Sequence, residues 1–217
     1  MIEEIIDKLR GKGIEVDSTQ FDLITRINNK LSSNKYLVKK FKEDNSIKNG
    51  FYIWGDVGRG KTLITKSIFD YLKETKISFH YIDFMKNIHN ELSSLSNKKN
   101  PLDLIAKSLS KKYKVIFIDE FQVEDITDAM IIGSLLNQLI KMKVVLFLTS
   151  NAHPDDLYKN GLQRQVFIDN MRIIQESLDI YKLDGKIDYR LRNIINIDQD
   201  NANKTFNDVE IISLLER

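Results

Sequence analysis

A glycine-rich stretch at residues 55–62 constrains the fold of this chain more than any other feature. It reads GDVGRGKT and fills the phosphate-loop pattern G-x-x-x-x-G-K-[ST] completely. The apolar segment 51–54 before it predicts a buried strand, and segment 63–72 after it has apolar residues at helical spacing. Strand, glycine loop and helix in this order predict a site for nucleotide phosphates, because the loop and the helix N-terminus both present backbone N–H groups.

The loop residues have distinct expected roles. The whole stretch is expected to surround the phosphates, which assigns nucleotide binding to Gly55, Asp56, Val57, Gly58, Arg59, Gly60, Lys61 and Thr62. Lys61 is expected to reach the β- and γ-phosphates, and the Thr62 hydroxyl to bind Mg²⁺. The alternative, a loop that matches the pattern by chance, is disfavoured by the flanking strand and helix.

A second feature is an apolar run, 115–118, followed directly by Asp119 and Glu120. This pattern predicts a central strand whose carboxyl end opens onto the ligand crevice. There Asp119 is expected to hold Mg²⁺, and Glu120 to act as the general base for the attacking water. A strand that simply ends in two solvated acids has the same pattern, but the phosphate loop in the same chain favours the functional interpretation.

Two further residues are candidates for the site. Asn151 follows the apolar strand 144–148, and it faces the γ-phosphate if that strand lies between the loop strand and the Asp119 strand. The alternative is a helix cap. Arg164, on the outer rim, is a candidate for stabilising transition-state charge in a neighbouring subunit. On local features alone, a solvated surface arginine is the better interpretation.

The remaining pattern predicts an α/β fold. Predicted strands at 51–54, 77–82, 115–118, 144–148 and 178–183 alternate with helices, including one predicted from Phe84 to Leu95. This alternation indicates a P-loop NTPase with a parallel sheet of about five strands, covered by helices on both faces. We expect an N-terminal helical segment at 1–45, an ATPase core at 46–192 and a short tail at 193–217. In the first segment, Asp17 and Ser18 are expected to cap a helix with the apolar face Phe21, Ile24, Ile27 and Leu31.

Composition excludes several classes of protein. The 217 residues include no cysteine, which excludes disulfides and thiol catalysis and fits a reducing compartment. The formal net charge of +2 gives no strong signal for nucleic-acid binding. The N-terminus is acidic, unlike a secretory or mitochondrial leader, and no apolar run reaches the roughly 18 residues of a membrane span. The sequence therefore predicts a cytoplasmic protein with no transmembrane segment.

Several longer segments resemble one known family. In chain order they are GFYIWGDVGRGKT from Gly50, FHYIDFMKNIH from Phe79, NPLDLIA from Asn100, IDEFQVEDITDAMI from Ile118, LTSNAHPDDLYKNGLQR from Leu148 and DYRLR from Asp188. They are similar to the ZapE cell-division ATPases of bacteria and their mitochondrial AFG-type relatives. The resemblance spans about residues 17–192 and is most specific in the fourth and fifth segments.

This resemblance implies an AAA+ ATPase that uses ATP and Mg²⁺. It implies hydrolysis coupled to remodelling of a protein partner, either the tubulin-like division protein FtsZ or a membrane-protein substrate. It also favours Arg164 as a finger acting between subunits of a homo-oligomer that forms when ATP is bound. Asp125, Asp128, His80, His89, Tyr189 and Arg190 match family positions. The sequence assigns no chemistry to the acids, Tyr189 or Arg190, and it favours structural hydrogen bonding for the two histidines.

The expected tail differs from the family pattern. Family members continue beyond DYRLR into a small helical lid, whereas here the polar stretch 196–207 has no helical pattern and the sequence ends at Arg217. A separately encoded lid, a reduced remnant of the family and a core that works alone are all compatible with this pattern. The alternative function is a nucleotide-gated binding module or scaffold with little turnover. A third interpretation, a helicase-loader-like protein that acts on DNA, is disfavoured by the near-neutral charge and the family segments.

Overall fold

A five-stranded parallel sheet forms the centre of the computed structural model, which describes residues 2–11, 13–32, 48–159 and 161–184. The strands are β1 (Gly50–Trp54), β2 (Lys76–His80), β3 (Val115–Asp119), β4 (Val145–Ser150) and β5 (Asp179–Lys182), in the spatial order β2-β3-β4-β1-β5. All neighbouring strands pair in parallel. Strand β4 therefore lies between the loop strand β1 and the Asp119 strand β3, as the assignment of Asn151 required.

Helices cover both faces of the sheet, as predicted. They are α1 (Ile2–Arg10), α2 (Ser18–Ser32), α3 (Lys61–Tyr71), α4 (Tyr81–Ser94), α5 (Pro101–Lys112), α6 (Ile126–Lys141) and α7 (Arg164–Ser177), with a 3₁₀ turn at Pro154–Asp156. No helix in the described ranges is long and apolar enough to cross a membrane.

The alternation of side chains along the central strands divides the core into two layers. Ile116, Ile118, Leu146 and Leu148 pack with helices α4 to α7. Their neighbours along the same strands point to the opposite face and pack with α1, α2 and α3; they include Val115, Phe117, Val145 and Phe147. Because each strand is apolar on both faces, its sequence is a continuous apolar run rather than an alternating one.

Two local predictions differ from the structure. Strand β2 ends at His80 and helix α4 begins at Tyr81, so the strand is shorter and the helix longer than the sequence pattern predicts. Tyr81 is buried, and its apolar ring fits the strand pattern and the helix pattern equally well. On α2, Phe21 is 48% exposed although it was assigned to the apolar face, and Leu23 is buried instead.

The start of α2 agrees with the sequence. Asp17 accepts a hydrogen bond from the Gln20 backbone N–H at 2.8 Å, and the Gln20 side-chain oxygen accepts one from the Asp17 N–H at 3.2 Å. This reciprocal pair is a capping box, which satisfies two N–H groups at the helix start. Residues 33–47, at the end of the predicted N-terminal segment and the start of the predicted core, and residues 185–217, which include the predicted tail 193–217, lie outside the described residues.

Helix α6 begins with an N-cap, which gives Asp125 a structural role. The Asp125 carboxylate accepts a hydrogen bond from the Asp128 N–H at 2.9 Å and is the N-cap of α6. Helix α6 is anchored in the core by buried residues, which include Ala129, Ile132, Leu135, Leu136 and Leu139. The cap therefore belongs to a helix that is fixed by packing.

Replacing Asp125 by alanine is expected to lower the free energy of unfolding by about 1 kcal/mol, because an N–H group at the helix start loses its acceptor. Asp125→Asn keeps an acceptor of the same length and is expected to stay within a few tenths of a kcal/mol of the parent. Urea denaturation of the three proteins measures the difference. Equal losses in the two variants would show that the cap is not the cause.

Candidate functional site

The phosphate loop connects the end of β1 to the first residue of α3. Gly58 and Gly60 both have φ of +83°, a backbone region that glycine adopts at no steric cost. Gly60 is the residue that precedes α3, so the start of this helix faces the concave side of the loop. Glycine at these positions allows the turn that brings backbone N–H groups and the helix N-terminus together.

Lys61 is the central side chain of the site. It is only 8% exposed, and its ammonium group donates to three oxygens: the carbonyl of Gly55 at 2.7 Å, the carbonyl of Asp56 at 2.8 Å and Oδ1 of Asn151 at 2.9 Å. A buried ammonium group needs such acceptors, because it loses its hydration. The loop and the end of β4 are thus both tied to one cation.

Thr62 and Asp119 meet at the mouth of the site. The Thr62 hydroxyl donates to Oδ1 of Asp119 at 2.8 Å, and the Thr149 hydroxyl donates to the same oxygen. A hydroxyl and a carboxylate are hard oxygen donors of the kind that Mg²⁺ prefers, and Mg²⁺ sites commonly combine one or two such groups with substrate phosphates. The donor set therefore fits the predicted Mg²⁺.

Glu120 has an unusual backbone conformation. Its φ is +53°, a region that disfavours residues with a side chain, by on the order of 1 kcal/mol. Two hydrogen bonds to Thr149 maintain it: the Glu120 N–H donates to the Thr149 hydroxyl at 3.2 Å, and the Phe121 N–H donates to the Thr149 carbonyl at 2.6 Å. The Glu120 side chain is 57% exposed and lines the pocket.

His80 contacts the predicted general base, which the sequence interpretation missed. It is the last residue of β2, and its backbone is in register with Asp119 on the neighbouring strand. Its Nε2 atom lies 2.9 Å from Oε2 of Glu120. Because an ionised carboxylate only accepts hydrogen bonds, this contact requires a proton on Nε2. The sequence alone does not predict this contact, because it depends on β2 and β3 being neighbours in the sheet.

The end of β4 positions Asn151. The Ser150 hydroxyl donates to the Phe121 carbonyl at 2.7 Å, and the Tyr52 hydroxyl donates to the Ala152 carbonyl at 2.9 Å. Burial raises the pKa of Tyr52 well above its usual range, so this hydroxyl keeps its proton at any physiological pH. Asn151, exposed between these two anchors, therefore projects from a fixed backbone toward Lys61.

Arg164 is not part of the pocket formed by its own chain. It begins helix α7, and its Nη2 atom donates to the carbonyl of Asp155 at 2.8 Å. Its Nε atom is buried and has no hydrogen-bond partner among the described residues. The phosphate loop, Glu120 and Asn151 line one pocket, and Arg164 does not. This placement is consistent with a role of Arg164 in another subunit's site.

Two of the other residues that match family positions, His89 and Asp128, form a separate polar cluster with Tyr81 between α4 and α6. Asp128 accepts hydrogen bonds from Nε2 of His89 at 2.7 Å and from the Tyr81 hydroxyl at 3.5 Å. Burial, and then the nearby charge of Asp128, raise the pKa of Tyr81. The cluster does not line the pocket. Tyr189 and Arg190 lie outside the described residues.

Comparison with known proteins agrees with the sequence resemblance. The family model described as AFG1-like ATPase matches residues 14–208. The chain is 41% identical over 146 residues to "Cell division protein ZapE" of Escherichia coli K12, which covers 67% of this chain and 39% of that protein. It is 36% identical over 155 residues to "Lactation elevated protein 1 homolog B" of Danio rerio, covering 66% of this chain and 31% of that protein. The chain thus spans well under half the length of these relatives.

Solved structures share the fold at low sequence identity. Domain III of the replication initiation protein DnaA from Thermotoga maritima has a TM-score of 0.52 and 18% identity, covering 76% of this chain and 68% of that one. AMPPCP-bound DnaA from Aquifex aeolicus has a TM-score of 0.50 and 16% identity, covering 76% and 50%. These structures show the P-loop NTPase fold alone. The family match and the ZapE identity go further: this chain belongs to the AFG1-like ATPase family.

Proposed function

We propose that this chain binds ATP with Mg²⁺ at residues 55–62 and hydrolyses it. The observation that carries the proposal is the convergence of Lys61, Thr62, Glu120 and Asn151 on one pocket, although they come from three separate parts of the chain. Each belongs to the carboxyl edge of the sheet, where ligands bind in open α/β folds. The family assignment supports the same reaction.

The proposed chemistry follows from the side chains present. Lys61 exchanges its protein acceptors for phosphate oxygens, and the loop N–H groups bind the remaining charge. Glu120 takes a proton from the attacking water while the oxygen of that water bonds to the γ-phosphorus. The bond between the γ-phosphorus and the bridging oxygen breaks, which leaves ADP and phosphate. Asn151 holds the water and the γ-phosphate. Mg²⁺, held by Thr62 and Asp119, would supply positive charge against the phosphate oxygens.

The coupled process is proposed from family membership. The relation to the cell-division protein ZapE supports a role in cell division. We infer from the family resemblance that hydrolysis remodels a protein partner, either FtsZ or a membrane-protein substrate. The likeness to DnaA is at the level of the fold, so it does not favour a DNA substrate. Location in the cytoplasm stays a prediction from the sequence.

Replacing Lys61 by alanine is expected to weaken ATP binding by about a hundredfold or more, because a buried charge-assisted contact with the phosphates is lost. Isothermal titration calorimetry with ATP and Mg²⁺ measures the change. Lys66→Ala is the matched control: it removes the same charge from the same helix, at a residue that contacts Ser78 and Asp70 rather than the loop. Equal affinities in the two variants would contradict the assignment of Lys61.

Replacing Glu120 by glutamine is expected to lower turnover by roughly 10²- to 10⁴-fold while ATP affinity stays within about twofold, because an amide does not take up a proton from water. A steady-state phosphate-release assay measures this. Glu124→Gln, an exposed acid four residues further on, is the control. If Glu120→Gln turned over at the parental rate, Glu120 would not be the base. If the parent bound ATP without turnover, the nucleotide-gated binding module would replace the ATPase.

The finger role of Arg164 is tested by mixing two inactive variants. Arg164→Ala keeps its own pocket and lacks the finger, whereas Glu120→Gln keeps the finger and lacks the base. In a homo-oligomer with a finger acting between subunits, Arg164 of the second protein completes the pocket of the first, and we expect turnover to return on mixing. Each variant alone is expected to be slower than the parent by about a thousandfold. A mixture as inactive as its components would exclude the finger between subunits.

A further inference from the structure

A buried side chain of the N-terminal helix contacts the phosphate loop. Gln20 is only 1% exposed and lies in the first turn of α2. Its amide oxygen takes part in the capping box with Asp17, and its Nε2 atom donates to the carbonyl of Arg59 at 3.0 Å. The two ends of one amide therefore have separate partners, one in the helix start and one in the loop.

The contact fixes the direction of a peptide group. All peptide bonds in the described residues are trans, so the Arg59 carbonyl and the Gly60 N–H, which share one peptide, point in opposite directions. With the carbonyl held by Gln20, the Gly60 N–H points away from Gln20. Gly60 lines the pocket. Gln20 thus determines where a potential phosphate donor points without touching the phosphate itself.

Glycine makes the Arg59–Gly60 peptide easy to reverse. Rotation of this peptide changes the φ of Gly60, which is +83°, and glycine also populates the opposite sign of φ readily. A rotation of the peptide would exchange carbonyl and N–H and turn an acceptor toward the phosphates. The hydrogen bond to Gln20 opposes that rotation, because it holds only the orientation in which the carbonyl points toward α2.

The helix that carries Gln20 is firmly placed. Leu23, Ile24 and Ile27 are buried against α3 and the sheet. At the edge of the sheet formed by β5, the carboxylate of Asp22 accepts a hydrogen bond from the Tyr181 hydroxyl at 2.6 Å. The fit at the loop is close: a Cβ atom at Gly60 would lie 2.8 Å from Nε2 of Gln20. The amide is therefore held in place by packing on both sides of the contact.

We propose that Gln20 is a positioning residue for nucleotide binding, which keeps the Arg59–Gly60 peptide in the orientation that presents the Gly60 N–H to phosphate. The proposal rests on the proposed function of residues 55–62 as the nucleotide site. It makes α2 part of the nucleotide-binding unit. By linkage, a bound nucleotide strengthens the contact of α2 with the loop by the same factor as that contact strengthens nucleotide binding.

The test is Gln20→Glu, which separates the two functions of the amide. Glutamate keeps the oxygen that caps α2 and is a favoured residue at that position of a capping box. Its ionised carboxylate, however, repels the Arg59 carbonyl and attracts the Gly60 N–H, which favours the reversed peptide. We expect the Kd for a non-hydrolysable ATP analogue with Mg²⁺ to rise about tenfold to a hundredfold at pH 9. The unfolding midpoint in urea is expected to fall from pH 6 to pH 9 as well, because an ionised carboxylate at this buried position loses its hydration.

The loss of affinity is expected to depend on pH. A protonated carboxyl group carries a hydrogen that it can donate to the Arg59 carbonyl, as the amide does. Burial favours the protonated form of a carboxyl group at this position. The ratio of the variant Kd to the parental Kd is therefore expected to approach one near pH 6 and to grow toward pH 9. Gln20→Met has no ionisable group and is expected to raise the Kd by a ratio that does not change with pH.

Ile27→Val is the control for destabilisation of α2. Ile27 is buried in the same helix and does not line the pocket, so its variant is expected to lower the unfolding midpoint and leave the Kd unchanged. A Gln20→Glu Kd within twofold of the parent at every pH would overturn the proposal, as would an equal loss of affinity in Ile27→Val. If the parental chain itself bound no nucleotide, the proposed function would fail as well, and that result is distinct from both others.

Discussion

The buried ammonium group of Lys61 is the interaction on which the rest of the site depends. At 8% exposure it has little access to water, and it is held by the carbonyls of Gly55 and Asp56 and the side chain of Asn151. Because Lys61 lies near the end of the loop, these hydrogen bonds tie that end to the start of the loop and to the residue that follows β4. One cation therefore orders two elements. A triphosphate presents oxygens of the same kind with a formal negative charge, which is a stronger acceptor for the same group.

Much of the site is predictable from the sequence because its signals are local. The pattern of residues 55–62 specifies the loop, and the apolar run before Asp119 specifies a buried strand that ends in acids. The position of Asn151 depended on the strand order, which the structure confirms with β4 between β1 and β3. Continuous apolar runs also predicted a sheet covered on both faces, and the core divides into two layers accordingly.

The contacts that the sequence did not reveal join positions far apart in the chain. His80 meets Glu120 only because β2 and β3 are neighbours in register, and Gln20 meets Arg59 only because α2 packs beside the loop. Neither contact has a local sequence pattern that marks it. The predicted boundary between β2 and α4 was wrong for a different reason. The buried ring of Tyr81 suits a strand and a helix equally well, so apolar spacing does not show where β2 ends.

The role of Lys61 in ATP binding is tested most directly by a crystal structure of the chain with Mg²⁺ and a non-hydrolysable ATP analogue. In that complex the Lys61 ammonium group is expected to leave the carbonyls of Gly55 and Asp56 and to contact β- and γ-phosphate oxygens. Thr62 and Asp119 are expected to lie at the metal. A nucleotide bound elsewhere, with Lys61 still on the loop carbonyls and Asn151, would contradict the assignment of this pocket as the ATP site.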